Sequence, residues 1–286
     1  MRIVVAGLGI IGGSICMSLK RAGYSVDGWN RSKDTLQYAL DNGIIDGKAE
    51  SFTDYDVAII ALPPEATIDF INKAAFKDGA IVADACGIKG WMEERVYARE
   101  RNFRYVGCHP MAGKETSGIK SASAALFDGA SIVVVEAPQT DPDAYNTIIG
   151  LARVMGFRLA VKCSSEVHDR KIAYTSQLCH IISNCYVKND EIENCLGFTG
   201  GSFRDMTRIS RVSPDMWTSL YMKNTDALLG DIDNLVENLV KVRDAIAAGD
   251  ETELEKVLAG GVERSRQATE VKYSPETELI RLQDKA

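Results

Sequence analysis

Short apolar runs alternate with longer amphipathic stretches over most of the first half of the chain. The runs are rich in Val, Ile and Ala, as buried β-strands are, and they occupy residues 2–6, 24–30, 56–62, 80–85, 104–108, 130–137 and 157–163. The stretches between them have the length of helices. Strands that alternate with helices in this way predict βαβ units and a mostly parallel sheet.

The strand pattern stops after Ser164, and helical periodicity continues to the end of the sequence. We therefore predict an α/β domain over residues 1–164 and an all-α domain over residues 165–286. One helix of the second domain is predicted to begin near Ser165.

A single long helix is predicted from Pro214 to about residue 248. Ser213 before Pro214 is typical of a helix start, and Gly249 followed by Asp250 is typical of a helix end and of the cap of the next helix. An apolar stripe with spacings of four and three follows this helix through Leu228, Ile232, Leu235, Leu239, Val242 and Ile246. The stripe packs either inside its own subunit or against a second copy. The small size of the helical domain favours a homodimer.

Composition and charge narrow the class of protein. The chain has a formal net charge of −7, 45% hydrophobic residues and 26% charged residues. This is typical of a globular protein, and the acidic balance argues against nucleic-acid and anionic-membrane partners. Seven scattered cysteines without CxxC spacing suggest neither a disulfide framework nor a metal site, and they fit a cytoplasmic protein. The apolar start is better explained as a strand that enters a turn than as a signal peptide.

A glycine-rich turn follows the first predicted strand and matches the pattern GxGxxG. It consists of Gly7, Leu8, Gly9, Ile10, Ile11 and Gly12, and a helical pattern follows it. In this context the glycines allow a tight turn, a close approach of the backbone to a pyrophosphate and close packing of helix on sheet. The turn therefore predicts a bound dinucleotide.

The end of the second strand is where such a fold places an acidic residue that binds the adenosine ribose. This chain has Asn30, Arg31 and Ser32 there. A neutral amide, a guanidinium and a hydroxyl suit a 2′-phosphate, so we predict NADP in preference to NAD. Asp27 is the alternative partner of the ribose, but strand alternation places it off the face of Asn30.

His109 lies in the segment VGCHPMAGKETSG, at the carboxyl end of a predicted strand. Ligands bind at this edge of a doubly wound sheet, which makes the histidine a candidate for chemistry. The alternative is a histidine with a purely structural role.

Four ordered motifs then resemble one family. VAGLGIIGGS, HPMAGKETSG, TSQLCHIIS and GGSFRDMTRIS, followed by SPDMW, resemble the successive motifs of the prephenate/arogenate dehydrogenase family. The resemblance implies a Rossmann-type domain, a helical dimerisation domain, and NAD(P)-dependent oxidative decarboxylation of prephenate or arogenate to 4-hydroxyphenylpyruvate or tyrosine.

The resemblance also implies roles for individual residues. His109 would accept the proton of the C4 hydroxyl, and Arg208 would bind a substrate carboxylate. Further predicted substrate contacts are Glu115, Ser117, Gln177, His180, Asp205 and Trp217. Further predicted cofactor contacts are Leu62, Pro63, Asp84 and Gly87.

Two departures from the family pattern stand out. Where relatives read DxGSxK, this chain reads DACGIK, so Gly87 replaces a serine expected beside the catalytic histidine. Where relatives read SHLPH, it reads SQLCH. His168, beside Asp169, is predicted to lie on the surface.

Two alternative functions remain open on sequence grounds. A dehydrogenase or reductase of the β-hydroxyacid type would use a lysine, for which Lys89 is the candidate. A dinucleotide-binding sensor would use no catalytic residue at all.

Overall fold

The computed structural model describes residues 1–113, 116–269 and 274–283. Nine strands in these ranges form one sheet, in the order β3-β2-β1-β4-β5-β6-β7-β8-β9. The strands are β1 (Ile3–Ala6), β2 (Val26–Trp29), β3 (Gly47–Lys48), β4 (Val57–Ile60), β5 (Ile81–Asp84), β6 (Arg104–Met111), β7 (Ser131–Val135), β8 (Leu159–Cys163) and β9 (Glu278–Arg281). The pairs β6–β7 and β8–β9 are antiparallel, and the other neighbours are parallel. The predicted parallel-rich sheet is confirmed.

Helices connect the strands and fill the second half of the chain. They are α1 (Ile10–Arg21), α2 (Lys33–Asp41), α3 (Pro64–Lys73), α4 (Gly90–Tyr97), α5 (Pro142–Met155), α6 (Ser165–Ile172), α7 (Leu178–Tyr186), α8 (Gly201–Arg208), α9 (Pro214–Tyr221), α10 (Thr225–Ala248) and α11 (Glu251–Thr269). One π-helical turn, Ala173–Gln177, joins α6 to α7.

The apolar runs are continuous because the sheet is covered on both faces. Ile3 and Val5 belong to a core cluster that includes residues of α1 and α5. Val4 and Ala6 alternate with them and belong to a second cluster that includes residues of α3 and α4. Alternate residues of a strand point to opposite faces, so each run supplies both layers.

The chain divides into two compact units. The first contains Met1–Asp169, Ser213–Lys223 and Glu278–Ala286, and the second contains Arg170–Val212 and Asn224–Thr277. The first unit is the α/β layer structure, and the second is helical. The predicted fold class is confirmed, with one addition: α9 and β9 come from the second half of the sequence and belong to the first unit.

The long helix predicted from residue 214 to 248 is wrong, because the structure divides it into α9 and α10. Asn224 is the N-cap residue of α10 and is buried, and its Nδ2 donates to Oε1 of Gln177 at 2.8 Å. The predicted end at Gly249 and the cap at Asp250 are both present. Gly249 is left-handed, with φ of 65°, and Asp250 Oδ1 accepts from the backbone N–H of Glu253 at 2.9 Å.

Candidate active site

The glycine-rich turn lies where the strand order reverses, between β1 and β4, at the carboxyl ends of both strands. Gly7 has φ of 93°, and a Cβ on it would lie 2.5 Å from the carbonyl oxygen of Ala61. A Cβ on Gly12 would lie 1.9 Å from the carbonyl oxygen of Gly7. A Cβ on Gly9 would meet no atom within 4 Å, so its backbone faces open space. The first and third glycines close the turn, and the second leaves room for a ligand at the start of α1.

Only part of this turn can touch a ligand directly. Gly9, Ile10 and Ile11 are partly exposed, whereas Leu8 and Gly12 are buried. The backbone N–H of Leu8 donates to Oδ1 of Asn30 at 2.9 Å. The role of Leu8 and Gly12 is therefore to shape the turn.

A cleft of about 860 Å³ opens beside Asn30, Arg31 and Ser32. Leu62 and Pro63, two of the predicted cofactor contacts, also line this cleft. Ser32 is the N-cap of α2, and its Oγ accepts from the N–H of Thr35 at 3.2 Å. The positive end of a helix, a guanidinium and a hydroxyl thus meet at one edge of the cleft.

The carboxylate of Asp27 is hydrogen-bonded to another residue and does not line this cleft. Its Oδ2 accepts from the hydroxyl of Tyr55 at 2.7 Å, and burial together with this carboxylate raises the pKa of Tyr55 to about 12. A Cβ on Gly47 would lie 2.6 Å from Asp27 Oδ1. The carboxylate is therefore held between Tyr55 and β3.

His109 projects from β6 where that strand extends past β5. Residues 104–107 of β6 pair in parallel with β5, and residues 108–111 pair antiparallel with β7, with His109 opposite Val133. The residue is partly exposed, and the position of a Cβ on Gly87 lies 3.4 Å from Nε2. Burial lowers the pKa of His109 well below its usual value, and the neighbouring His168 and Lys89 lower it further. The imidazole is therefore neutral at physiological pH.

His168 is not a surface residue, and that prediction is wrong. It is 2% exposed, and its Nε2 lies 2.9 Å from Nδ1 of His109. Its Nδ1 lies 2.6 Å from Oδ1 of Asp169. The polar neighbours Glu166 and Asp169 suggested a solvated face, but the start of α6 turns His168 toward β6. A histidine followed directly by an aspartate at the start of a helix was the only local signal for this contact.

The carboxylate of Asp84 is enclosed in the core, which corrects its prediction as a cofactor contact. Asp84 is 0% exposed. Its oxygens accept from Lys89 Nζ, from the Tyr105 hydroxyl at 2.5 Å and from the backbone N–H of Cys86 at 2.7 Å. A carboxylate without solvent exposure has no surface to offer to a cofactor.

Lys89 is likewise 0% exposed, and its Nζ also donates to the carbonyl oxygen of Cys108 at 2.6 Å. A catalytic lysine must reach its substrate, whereas this one pairs with Asp84 inside the core. The position of Lys89 therefore argues against the lysine-dependent alternative.

Arg208 is the last residue of α8 in the second unit, and it is exposed. Three carbonyl groups around it, of Met206, Ile209 and Ser210, accept hydrogen bonds from side chains of α7. The donors are Ser183 Oγ at 2.6 Å, His180 Nδ1 at 3.0 Å and Asn184 Nδ2 at 3.2 Å. These bonds satisfy the end of α8 and fix the turn that carries Arg208.

The remaining predicted substrate residues differ in exposure. His180 is partly exposed, and Asp205 and Ser117 are exposed. Glu115 lies outside the described residues. Trp217 is partly exposed on α9, in the first unit, with its ring 5.4 Å from that of Tyr221.

Gln177 is 1% exposed, in the π-helical turn, and it accepts from Asn224. Its Nε2 is buried without a hydrogen-bond partner among the described residues, and its place in the substrate cavity stays a prediction.

The fold and the site together define a dinucleotide-binding α/β protein with a neutral histidine at the carboxyl edge of its sheet. Comparisons with known proteins narrow this class. Residues 15–161 match the model "Prephenate dehydrogenase, nucleotide-binding domain", and residues 164–260 match "Prephenate dehydrogenase, dimerization domain". The chain belongs to the prephenate dehydrogenase family and is an oxidoreductase that uses a nicotinamide cofactor.

Individual relatives agree with this assignment. A prephenate dehydrogenase of Bacillus subtilis is 31% identical over 258 residues, which cover 84% of this chain and 69% of the relative. The crystal structure of Synechocystis arogenate dehydrogenase has a TM-score of 0.79 at 23% identity, and covers 94% of this chain and 100% of that one. The structure of prephenate dehydrogenase from A. aeolicus with hydroxyphenyl propionate and NAD+ has a TM-score of 0.78 at 23% identity, and covers 94% and 98%. These two structures support the fold.

None of the helices in the described ranges is long and apolar enough to cross a membrane.

Proposed function

We propose that this protein oxidises and decarboxylates prephenate or arogenate, with His109 as the base that accepts the proton of the C4 hydroxyl. The observation that carries the proposal is the environment of His109. The residue is partly exposed at the carboxyl edge of the sheet, its pKa is lowered, and Gly87 has no side chain beside Nε2. A neutral imidazole at that place can accept a proton from an alcohol.

The bond changes follow from the substrate. The O–H bond at C4 breaks as His109 Nε2 takes the proton, and C4 becomes a carbonyl carbon as hydride leaves it. A bound nicotinamide would accept that hydride. The C1 carboxylate then departs as carbon dioxide, and the electron pair of the broken C–C bond makes the ring aromatic. The carbonyl oxygen recovers a proton to give the phenol, which His109 can return.

Arg208 would bind a substrate carboxylate. It is an exposed cation in a protein of net charge −7, and the hydrogen bonds from α7 hold its turn in place. His180, Asp205, Ser117, Trp217 and Glu115 stay candidates for substrate contacts. Loss of the arginine should raise KM, because a charge-assisted bond to the carboxylate exists before the reaction as well as during it.

The cofactor site favours NADP. Gly9 leaves room for a pyrophosphate at the start of α1, and Arg31 and Ser32 border the cleft at the start of α2. Asp27, the carboxylate that would select the free ribose hydroxyls of NAD, is held by Tyr55. A 2′-phosphate would therefore meet a cation and a helix N-terminus at that edge, while Glu50 and Asp69 line other parts of the same cleft.

The second unit supports a homodimer. Of the 24 residues of α10, only Leu228 and Ala245 are buried. Leu239 and Ile246, from the predicted stripe, are 59% and 62% exposed. Ile232, Leu235 and Val242 of the same stripe are partly exposed, and a second copy of the chain would cover the exposed part of the stripe with the same face.

Steady-state kinetics with prephenate and arogenate, each with NAD and NADP, test the function. We expect reduction of the nicotinamide with equimolar release of carbon dioxide from at least one of the two substrates. Retention of the substrate carboxyl, or the absence of turnover with both, would contradict the proposal.

A further inference from the structure

A row of three side chains runs behind the base from β6 to the start of α6. His109 Nδ1 lies 2.9 Å from His168 Nε2, and His168 Nδ1 lies 2.6 Å from Asp169 Oδ1. The two imidazole rings meet at 63°, with centroids 5.1 Å apart. His168 is 2% exposed and Asp169 9%, so water does not compete for these bonds.

The direction of each hydrogen bond follows from the last member of the row. A carboxylate can only accept, so His168 must carry its proton on Nδ1. Burial lowers the pKa of His168 although Asp169 opposes this, so the ring is neutral and its Nε2 bears a lone pair. His109 must then donate from Nδ1 to that lone pair. The remaining nitrogen of His109, Nε2, has no proton.

Backbone groups fix the position of Asp169. Its Oδ1 accepts from the N–H of Lys89 and its Oδ2 from the N–H of Gly90, both at 2.8 Å. These donors lie at the start of α4, where the helix dipole favours a negative charge. The segment between β5 and α4 therefore holds the carboxylate and also places Gly87 beside His109 Nε2.

We propose that His168 and Asp169 are positioning residues that hold His109 in the Nδ1–H tautomer, with Nε2 bare and directed to the space beside Gly87. Gly87 has no side chain that could orient the ring from the other side. The inference rests on the proposed function, in which Nε2 takes the proton of the C4 hydroxyl. After that transfer His109 carries both protons, and the Nδ1–H bond to His168, supported by Asp169, stabilises the imidazolium. No proton moves along the row.

The first test determines whether His168 acts as a hydrogen-bond acceptor for His109 or only packs against it. His168→Leu fills much of the same space and removes the acceptor, whereas His168→Gln offers an amide oxygen to His109 Nδ1–H. We expect His168→Leu to lower kcat about 10²-fold with little change in KM or in NADP affinity. We expect His168→Gln to recover at least about tenfold of that loss.

Val167→Ala is the matched control, because Val167 is the buried neighbour of His168 on α6 and belongs to an apolar cluster with Val135 and Cys163. It should lower Tm and leave kcat near the wild-type value. Equal kcat values in the wild type and His168→Leu would overturn the proposal, as would equal losses in the Leu and Gln variants.

The second test determines the tautomer of His109 in the absence of substrate. The chain has three histidines, so the imidazole nitrogens of a ¹⁵N-labelled sample give few signals, and His109→Asn assigns those of His109. We expect the proton of neutral His109 on Nδ1 in the wild type, and a shift of it toward Nε2 in His168→Leu. A wild-type proton on Nε2 would overturn the proposal even if His168→Leu fails to fold. This readout also holds if neither prephenate nor arogenate is turned over, so the failure of the proposed function would be recognised separately.

Discussion

At the scale of single residues, the lowered pKa of His109 sets the pH dependence of the reaction. Only the neutral imidazole can accept a proton, so log(kcat/KM) should rise with pH through the ionisation of His109 and then stay level. Burial, His168 and Lys89 lower that pKa, so the rise should lie below the usual histidine value of about 6.5. A pH profile of kcat/KM checks this, and a midpoint above 6.5 would contradict it.

The same residue gives a mutational prediction. His109→Asn retains a hydrogen-bonding group but cannot hold the proton, so kcat should fall on the order of 10²- to 10⁴-fold. The affinity for NADP, measured by titration, should hardly change. Near-normal kcat with an unaltered pH profile would show that His109 is structural.

Asn30 and Arg31 determine the predicted preference for NADP. Asn30→Asp keeps an acceptor for the Leu8 N–H, and with Arg31→Gln it removes the cation and adds a carboxylate. The ratio of kcat/KM for NADP over NAD should fall about 10- to 100-fold, as expected for the loss of a charge-assisted bond. Arg99→Gln, the same change at an exposed residue of the first unit outside the cleft, should leave the ratio unaltered. A wild type that prefers NAD would refute the interpretation of this turn.

The positions of functional residues were predictable from the sequence where they belong to local motifs. The glycine turn and the position of His109 follow from short patterns beside apolar runs. The contact of His168 with His109 does not follow from such a pattern, because the two residues are 59 positions apart in the sequence. The polar neighbours of His168 also resemble a solvated helix face. The burial of Asp84 was not predictable either, since its partner Tyr105 is 21 residues away in the sequence and Lys89 is of a residue type that usually lies on the surface.

At the scale of elements, the strands of the first half were predictable because both faces of the sheet are buried and their apolar runs are unbroken. The two-residue β3 and the C-terminal β9 were missed, since neither has such a run. The break between α9 and α10 contains neither glycine nor proline. Asn224, the N-cap residue of α10, donates to Gln177, 47 residues away in the sequence, and no local pattern reveals this contact.

The apolar face of α10 gives a prediction at this scale. Leu239→Lys with Ile246→Lys should convert a dimer into a monomer, because both side chains are exposed in one copy and charges cannot be buried unpaired in an interface. Asn238→Lys, on the same helix and also exposed, is the control and should remain dimeric. Sedimentation at micromolar concentration distinguishes the two states, and a monomeric wild type would exclude the interface.

For the whole molecule, the lowered pKa values of His109 and His168 predict a loss of stability in mild acid. Burial lowers the pKa values of His109 and His168 in the folded state, so the unfolded chain binds more protons below pH 6.5. Their contribution to the free energy of unfolding is complete above that pH. It decreases as the pH falls, by up to about 1.4 kcal/mol per pH unit for each histidine.

In the window from pH 6.5 to 5 the paired carboxylates with lowered pKa values, such as Asp46 and Asp56, do not act, whereas Glu93, whose pKa is raised by burial, has an effect of the opposite sign. Urea unfolding across this window should show that the free energy of unfolding decreases as the pH falls. The dependence on pH should be weaker in His109→Asn than in the wild type. An unfolding free energy that is level from pH 7 to 5 would contradict the prediction.

The pairing of β9 with β8 affects how the protein responds to a protease. Residues 278–281 return to the first unit after the whole of the second unit, and they lie antiparallel to residues 159–162. Leu282 is buried in the same core cluster as β1. A single cut near Gly249 would therefore leave two fragments that each retain strands of one sheet. They should migrate as separate bands under denaturing conditions and elute together under native ones.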